Sequence, residues 1–155
     1  MSDVPHHNGQ QLEQAVAVLS ATTQLIDRAL STLKVQTTEG QRVAPNKLDE
    51  HQLASYDLSL SWSECTAARF LLAHATRLTA QSSAANAYTT CLATYFCAEA
   101  VTNTLHRLRT RPADFGLTHA AIDTIDANSV AAEFLSQQLA ARNVAAIGQA
   151  VLDRD

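Results

Sequence analysis

The sequence predicts an all-α protein, an antiparallel up-and-down four-helix bundle with a short extra helix before the last long one. Three observations carry that expectation. Apolar residues recur at steps of three and four along four long stretches, which is the stripe of an amphipathic helix. Only 4 Gly and 3 Pro stand against 28 Ala in 155 residues, too few turn formers for a many-stranded sandwich. No segment alternates polar and apolar residues with the period of a strand. A hydrophobic fraction of 46% with 17% charged residues fits one packed domain rather than a disordered chain. Residues 1–9 read as a flexible tail and 10–155 as the helical bundle domain.

Each element has its own signature. The first helix is expected over 10–36, with Leu12, Val16, Leu19, Ile26, Leu30 and Leu33 on one stripe and Thr23 in the missing place. Glu39 to Asn46 holds Gly40 and Pro45 and reads as a loop. The second helix, about 47–79, carries a row of Leu53, Tyr56, Leu60, Ala67 and Phe70, widened by Leu58, Trp62, Cys65 and Leu72. So wide a stripe predicts a helix covered on several sides, the central one. Gln81-Ser82-Ser83 breaks the pattern and offers a cap for a third helix running to Arg109 through Tyr88, Cys91, Leu92, Tyr95, Ala98, Val101 and Leu105. His106, Arg107 and Arg109 suit its C-terminal dipole, and Arg111-Pro112 ends it. Asp114-Phe115-Gly116 reads as a turn, and Thr118 as the cap of a short helix through Ile125. Asp126-Ala127-Asn128-Ser129 breaks that helix. The last long helix, 129–152, should turn Phe134, Leu135, Leu139, Ile147 and Val151 inward, with Gly148 as its weak spot.

The chemistry is bounded mainly by exclusion. A net charge of −4 and a pI near 5.8 argue against a nucleic-acid partner and against an anionic membrane surface. The first ten residues hold neither an apolar run nor a basic start, so they are no secretory leader, and no window approaches a membrane span of about 20 apolar residues. A cytoplasmic protein is expected. Cys65, Cys91 and Cys97 show no metal spacing and read as free thiols, two of them buried. A di-iron carboxylate site needs Glu-x-x-His on two helices, and the sequence has none; Glu13, Glu64, Glu99 and Glu133 fall one per helix without matching histidines. No metal is expected. His6-His7 has no chelating neighbour, and His119 with Asp123 reads as a surface pair. There is no Gly-rich phosphate loop and no Gly-x-Ser-x-Gly.

Two features hold the chemical interest that remains. His74 continues the row of Ala67 and Phe70, so its ring is placed toward the core, as a satisfied polar group or a proton-transfer group near the bundle end. Arg107, Arg109 and Arg111 alternate at a helix end, either as dipole complements or as a bidentate holder of a carboxylate or phosphate. A ligand-binding site for an anionic or acyl-thioester molecule would then lie near His74, Tyr95 and His106, with the three arginines on the anion.

Two segments resemble a known family. Gln52, Leu53 to Leu60 and Glu64-Cys65-Thr66-Ala67-Ala68-Arg69-Phe70-Leu71-Leu72 look like the acyl-CoA dehydrogenase helix written with a Gln, then Leu-Ala, then "E-x-x-A-A-R-x-L-L". Ala93 to Val101 resembles the following helix, "A-K-x-F-A-S-E-x-A". The resemblance implies the C-terminal helical domain of those flavoenzymes, or a related helical extension. The catalytic Glu of many members would fall near Ala127, with the shorter Asp126 beside it, so catalysis by this chain alone is not implied. No cofactor is expected on it alone, and FAD only with a partner chain. What is implied is an accessory or scaffold role, as a homo-oligomer or in a hetero-complex with a related enzyme, through Ala-rich faces and interface aromatics such as Trp62 and Phe134.

Overall fold

The computed structural model describes residues 4–80 and 85–152. Among them seven α-helices follow in order: α1 (Val4–Thr37), α2 (Pro45–Glu50), α3 (Gln52–Thr79), α4 (Ala85–Thr110), α5 (His119–Ala127), α6 (Ser129–Gln138) and α7 (Ala141–Leu152). The three long ones, α1, α3 and α4, pack on one another. Helix α1 starts inside the segment expected as tail. Residues 1–3 and the Gln81–Ser83 break with its expected cap lie outside the described residues.

The buried stripes keep a strict 3–4 spacing. On α1 it is Leu12, Ala15, Leu19, Thr22, Ile26, Ala29 and Leu33; on α3 it is Ala54, Leu58, Ser61, Cys65, Ala68, Leu72 and Ala75. Large and small residues alternate along α1, while on α3 only Leu58 and Leu72 are large among small residues. That lets a bulky side chain enter the space over a small one on the facing helix, as in low-angle knobs-into-holes packing. Two buried hydroxyls on the α1 face bond back along their own helix, Thr22 to Val18 O at 3.0 Å and Thr37 to Leu33 O at 2.8 Å. Burying them therefore leaves no donor stranded.

The α3 face differs from the expected row. Leu53, Tyr56 and Phe70 are 69%, 66% and 67% exposed, and the row turned inward is the one with alanines and Ser61. Small residues win because they let α4 approach closely, which a row of bulky side chains would prevent. His74, on the bulky row, is consequently exposed rather than core-facing. The same preference rotates α1, where Ala15 and Ala29 are buried while their larger neighbours Val16 and Leu30 are exposed.

The central helix is α4, not the second long helix. Its buried residues include Thr90, Thr94, Cys97, Val101, Thr104 and Leu108, together with Ala93, Ala100 and Leu105 on adjoining positions. It touches α1 and α3 on one side and α5, α6 and α7 on the other. Cys65 faces Thr104 and Asp57 faces Arg111, so α3 and α4 run in opposite directions.

Three connections depart from expectation. The 39–46 loop holds a two-stranded antiparallel hairpin, β1 (Thr38–Glu39) on β2 (Arg42–Val43), with Thr38 opposite Val43 and Gly40 at φ 61° in its turn. Strands of two residues are too short to show a period. The second expected helix is interrupted at His51, which leaves helical dihedrals at φ −108°, ψ 21°. The expected last long helix breaks at Leu139 and Ala140, so the fourth long helix of the expected bundle is a pair, α6 and α7. The Asn143 side chain supplies the reason: its amide donates to Gln137 O at 2.6 Å and Gln138 O at 3.3 Å, taking carbonyls that a continuing helix would use. Helix α7 has no fully buried residue; Ile147 is half-buried and Val151 exposed.

Other expected breaks lie where the sequence places them. Thr118 caps α5 by accepting from Ala121 N at 3.1 Å, and Asn128 caps α6 by accepting from Val130 N and Ala131 N. Between α4 and α5 a 3-10 turn, Pro112–Phe115, drives the Phe115 ring fully into the core.

Candidate interaction surface

The two arginines in the last turn of α4 and Arg111 just beyond it do not stand open. Arg107 grips Glu64 of α3 with both terminal nitrogens, at 2.6 and 3.0 Å, and reaches Ser61 Oγ at 3.4 Å. That bond, ahead of the opposing cost of burial, raises the Arg107 pKa further. Arg111 donates to Asp57 of α3 at 2.7 Å. Arg109 turns the other way, donating to Asp123 at 3.0 Å and to Asp126 on α5. Three guanidiniums thus meet four carboxylates, and together they tie one end of α4 to α3 and α5.

The other residues singled out by sequence are not gathered around them. His106 is exposed on α4, eleven residues or about 16 Å of helix rise beyond Tyr95. Tyr95 donates to Glu99 at 3.3 Å, and its phenol pKa is raised by partial burial and then by Glu99. His74 lies across from Tyr95 by the antiparallel pairing of α3 and α4, with its ring in solvent. Of the two aromatics expected at an interface, Phe134 is 2% exposed and belongs to the chain's own core beside α1 and α4. Its ring is packed within this chain rather than presented at the surface, because α6 turns its apolar stripe inward. Trp62 is 43% exposed.

Trp62 belongs to a surface that the sequence reading did not find. Helices α1 and α3 meet on the outer side of the molecule in a seam that, among the described residues, only the short α2 borders at one end, and three clefts follow one another along it. The first, about 720 Å³, runs from Leu12 and Glu13 to Thr79. The middle one, about 520 Å³, lies between Val16, Thr23 and Asp27 on α1 and Arg69, Ala73 and Thr76 on α3. The third, about 450 Å³, is closed on one side by Leu48 of α2 and lined by Leu30, Ser55 and Trp62. The lining is mostly apolar, and Val16, Leu30, Leu48 and Trp62 are its exposed large side chains.

Polar groups on this seam are left with unmet capacity. Asp27 and Arg69 face each other across the middle cleft, and among the described residues neither has an ion-pair partner. The Arg69 guanidinium sits 5.4 Å from the centre of the Phe70 ring, a cation–π contact. In the third cleft Ser55 Oγ is enclosed and, among the described residues, has no hydrogen-bond partner. The exposed residues Val16 and Leu30 were legible as apolar; that they stand outside the core follows only from which neighbours α3 and α4 leave uncovered.

The three thiols are held in their protonated form. Cys65 and Cys97 are buried and Cys91 half-buried, all free, and burial is the leading cause that raises all three pKa values, Cys97 to about 12. Among the described residues no group of three His, Cys, Asp or Glu side chains is placed to hold a metal, and no helix is long and apolar enough to cross a membrane. No protein-family model matches the chain, and neither does any curated protein or solved structure.

Proposed function

We propose that the protein is a non-catalytic helical accessory or scaffold module that works by docking the α1–α3 seam onto another helical surface. The carrying observation is that seam: an apolar groove along two of the three long helices, with Trp62 and Leu30 raised into solvent at one end. Such a face is what remains of a bundle when one side lacks its covering helices. The α6–α7 pair stands in for the fourth helix on the opposite side. In this reading the chain is similar in role to a stand-alone helical domain of the acyl-CoA dehydrogenases, and its partner is another copy or a related full-length enzyme. FAD enters only if that enzyme brings it. The arginines, each committed to a carboxylate, give the small-anion reading no separate support.

The test is the native mass of the full chain purified from its own source, alongside Trp62→Glu and Leu30→Glu. We expect wild type to run above 16.7 kDa, with co-purifying chains identified, and both variants to fall to monomer mass with an unchanged circular dichroism spectrum. A wild type that is monomeric at every concentration and travels alone would sink the proposal.

A further inference from the structure

The geometry points to a second copy of this chain as the occupant of the α1–α3 seam, docked about a two-fold axis that runs along the groove. The inference rests on the docking reading above and adds the partner and its orientation.

Charge complementarity is the first argument. A two-fold lying along the groove lays α1 of one copy on α3 of the other at the same height. Asp27 and Arg69 line the same cleft from opposite walls, so that operation sets Asp27 against the partner's Arg69 and Arg69 against the partner's Asp27. Two reciprocal ion pairs form from groups that otherwise have no ion-pair partner among the described residues. A two-fold running across the groove lays α3 on α3 instead. Beyond the carboxylates already held by α4, the charges of α3 are Arg69 and Arg77, both positive, so that arrangement is opposed.

Area is the second argument. Helix α3 has 28 residues, about 42 Å of length, and two adjacent helices present a face about 20 Å wide, so each copy offers roughly 800 Å². A stable dimer of ordinary size needs about that much. The apolar part is distributed to suit the same axis: Val16 near one end and Leu30 with Trp62 toward the other come from both helices, so each meets the opposite helix of the partner. The result is a closed four-helix layer made of α1 and α3 from each copy, which ends the association at two.

Charge reversal tests the arrangement when the strength of the mixed pair is compared with that of wild type. The recombinant full chain is followed by light scattering and analytical ultracentrifugation, with Asp27→Arg, Arg69→Asp and an equimolar mixture of the two variants. We expect a wild-type dimer, about tenfold or more weaker self-association of each variant alone, and a dimer recovered on mixing, since every interchain contact in the mixed pair is then Arg against Asp. Recovery on mixing excludes a pairing of Asp27 with Arg69 inside one chain, because neither variant holds both signs. A mixed pair that does not form overturns the axis, and so does one much tighter than wild type, because a two-fold across the groove would set like charges together in wild type and opposite charges only in the mixture. A wild-type monomer up to millimolar concentration overturns the second copy as partner. The docking reading itself then stands or falls separately, on whether Trp62→Glu releases an identified heterologous chain from the protein isolated from its source.

Discussion

A methyl group added at Gly116 would stand 2.5 Å from Thr32 Oγ1, and the residue already sits at φ 61°, where a Cβ is strained. Gly116→Ala should cost about 1–3 kcal/mol, read as a lower midpoint in urea at unchanged slope. Gly40 has the same φ with nothing within 4 Å, so Gly40→Ala should cost only the smaller backbone part. Cys97 makes a different forecast. Burial, and then the neighbouring Cys65, hold its pKa near 12, above the ordinary thiol value of about 8.5 that the unfolded chain regains. The native state therefore keeps a proton that the unfolded state loses. Stability should be level below about pH 8.5 and fall as the pH rises toward 12, by up to about 1.4 kcal/mol per pH unit from this group. Urea melts at pH 8 and 10.5 for wild type and Cys97→Ala check it: the variant should show the shallower fall.

At the scale of single elements, the interactions divide by how far they are shielded from water. The Arg107–Glu64 pair is bidentate and largely covered, and Glu64→Gln leaves a half-buried guanidinium with only Ser61 and half its former partner. A loss of about 1–3 kcal/mol is expected, with weak dependence on salt. The pairs of Arg109 are more open, and Asp123→Asn should cost under about 1 kcal/mol and disappear in high salt. Asn128→Ala should cost about 1 kcal/mol by uncapping α6. The caps and breaks at Thr118, Asn128 and Pro112 were readable in advance because each acts through its own neighbours. The face of a helix was not readable to the same degree. Where two apolar residues adjoin, as at Ala15-Val16 and Ala29-Leu30, only the partner helix decides which is buried, and here the smaller one is. The arginine cluster was visible as a pattern, yet its carboxylates come from α3 and α5, more than a dozen residues away in either direction, and nothing local announces them.

On the scale of the whole molecule, the two sides of the three-helix core are treated unequally. The side around α4 is covered by α5, α6 and α7, while among the described residues the α1–α3 side is bordered only at one end by the short α2 and carries Trp62. Charging Trp62 should therefore leave the unfolding midpoint of the isolated chain almost unchanged while removing its association, whereas Phe134→Ala should do the reverse, costing about 3–5 kcal/mol of stability without acting on the mass of the molecules that stay folded. That contrast also explains why the site was not legible in the sequence: both residues are aromatic and both stand on helices, and only their neighbours separate an anchor of the core from a ring left in solvent.

Among the described residues, the ion pairs at the C-terminal end of α4 join Arg107 and the following Arg111 to Glu64 and Asp57 of α3 and Arg109 to Asp123 and Asp126 of α5, beside the buried Phe115 plug. The opposite end of α4 is flanked by α7, which buries none of its residues fully. The molecule thus has a knotted end and a loose end. Its unfolding should be directional, with amide hydrogens of α7 exchanging through small local openings and those around Val101 to Leu108 exchanging only when the whole chain comes apart.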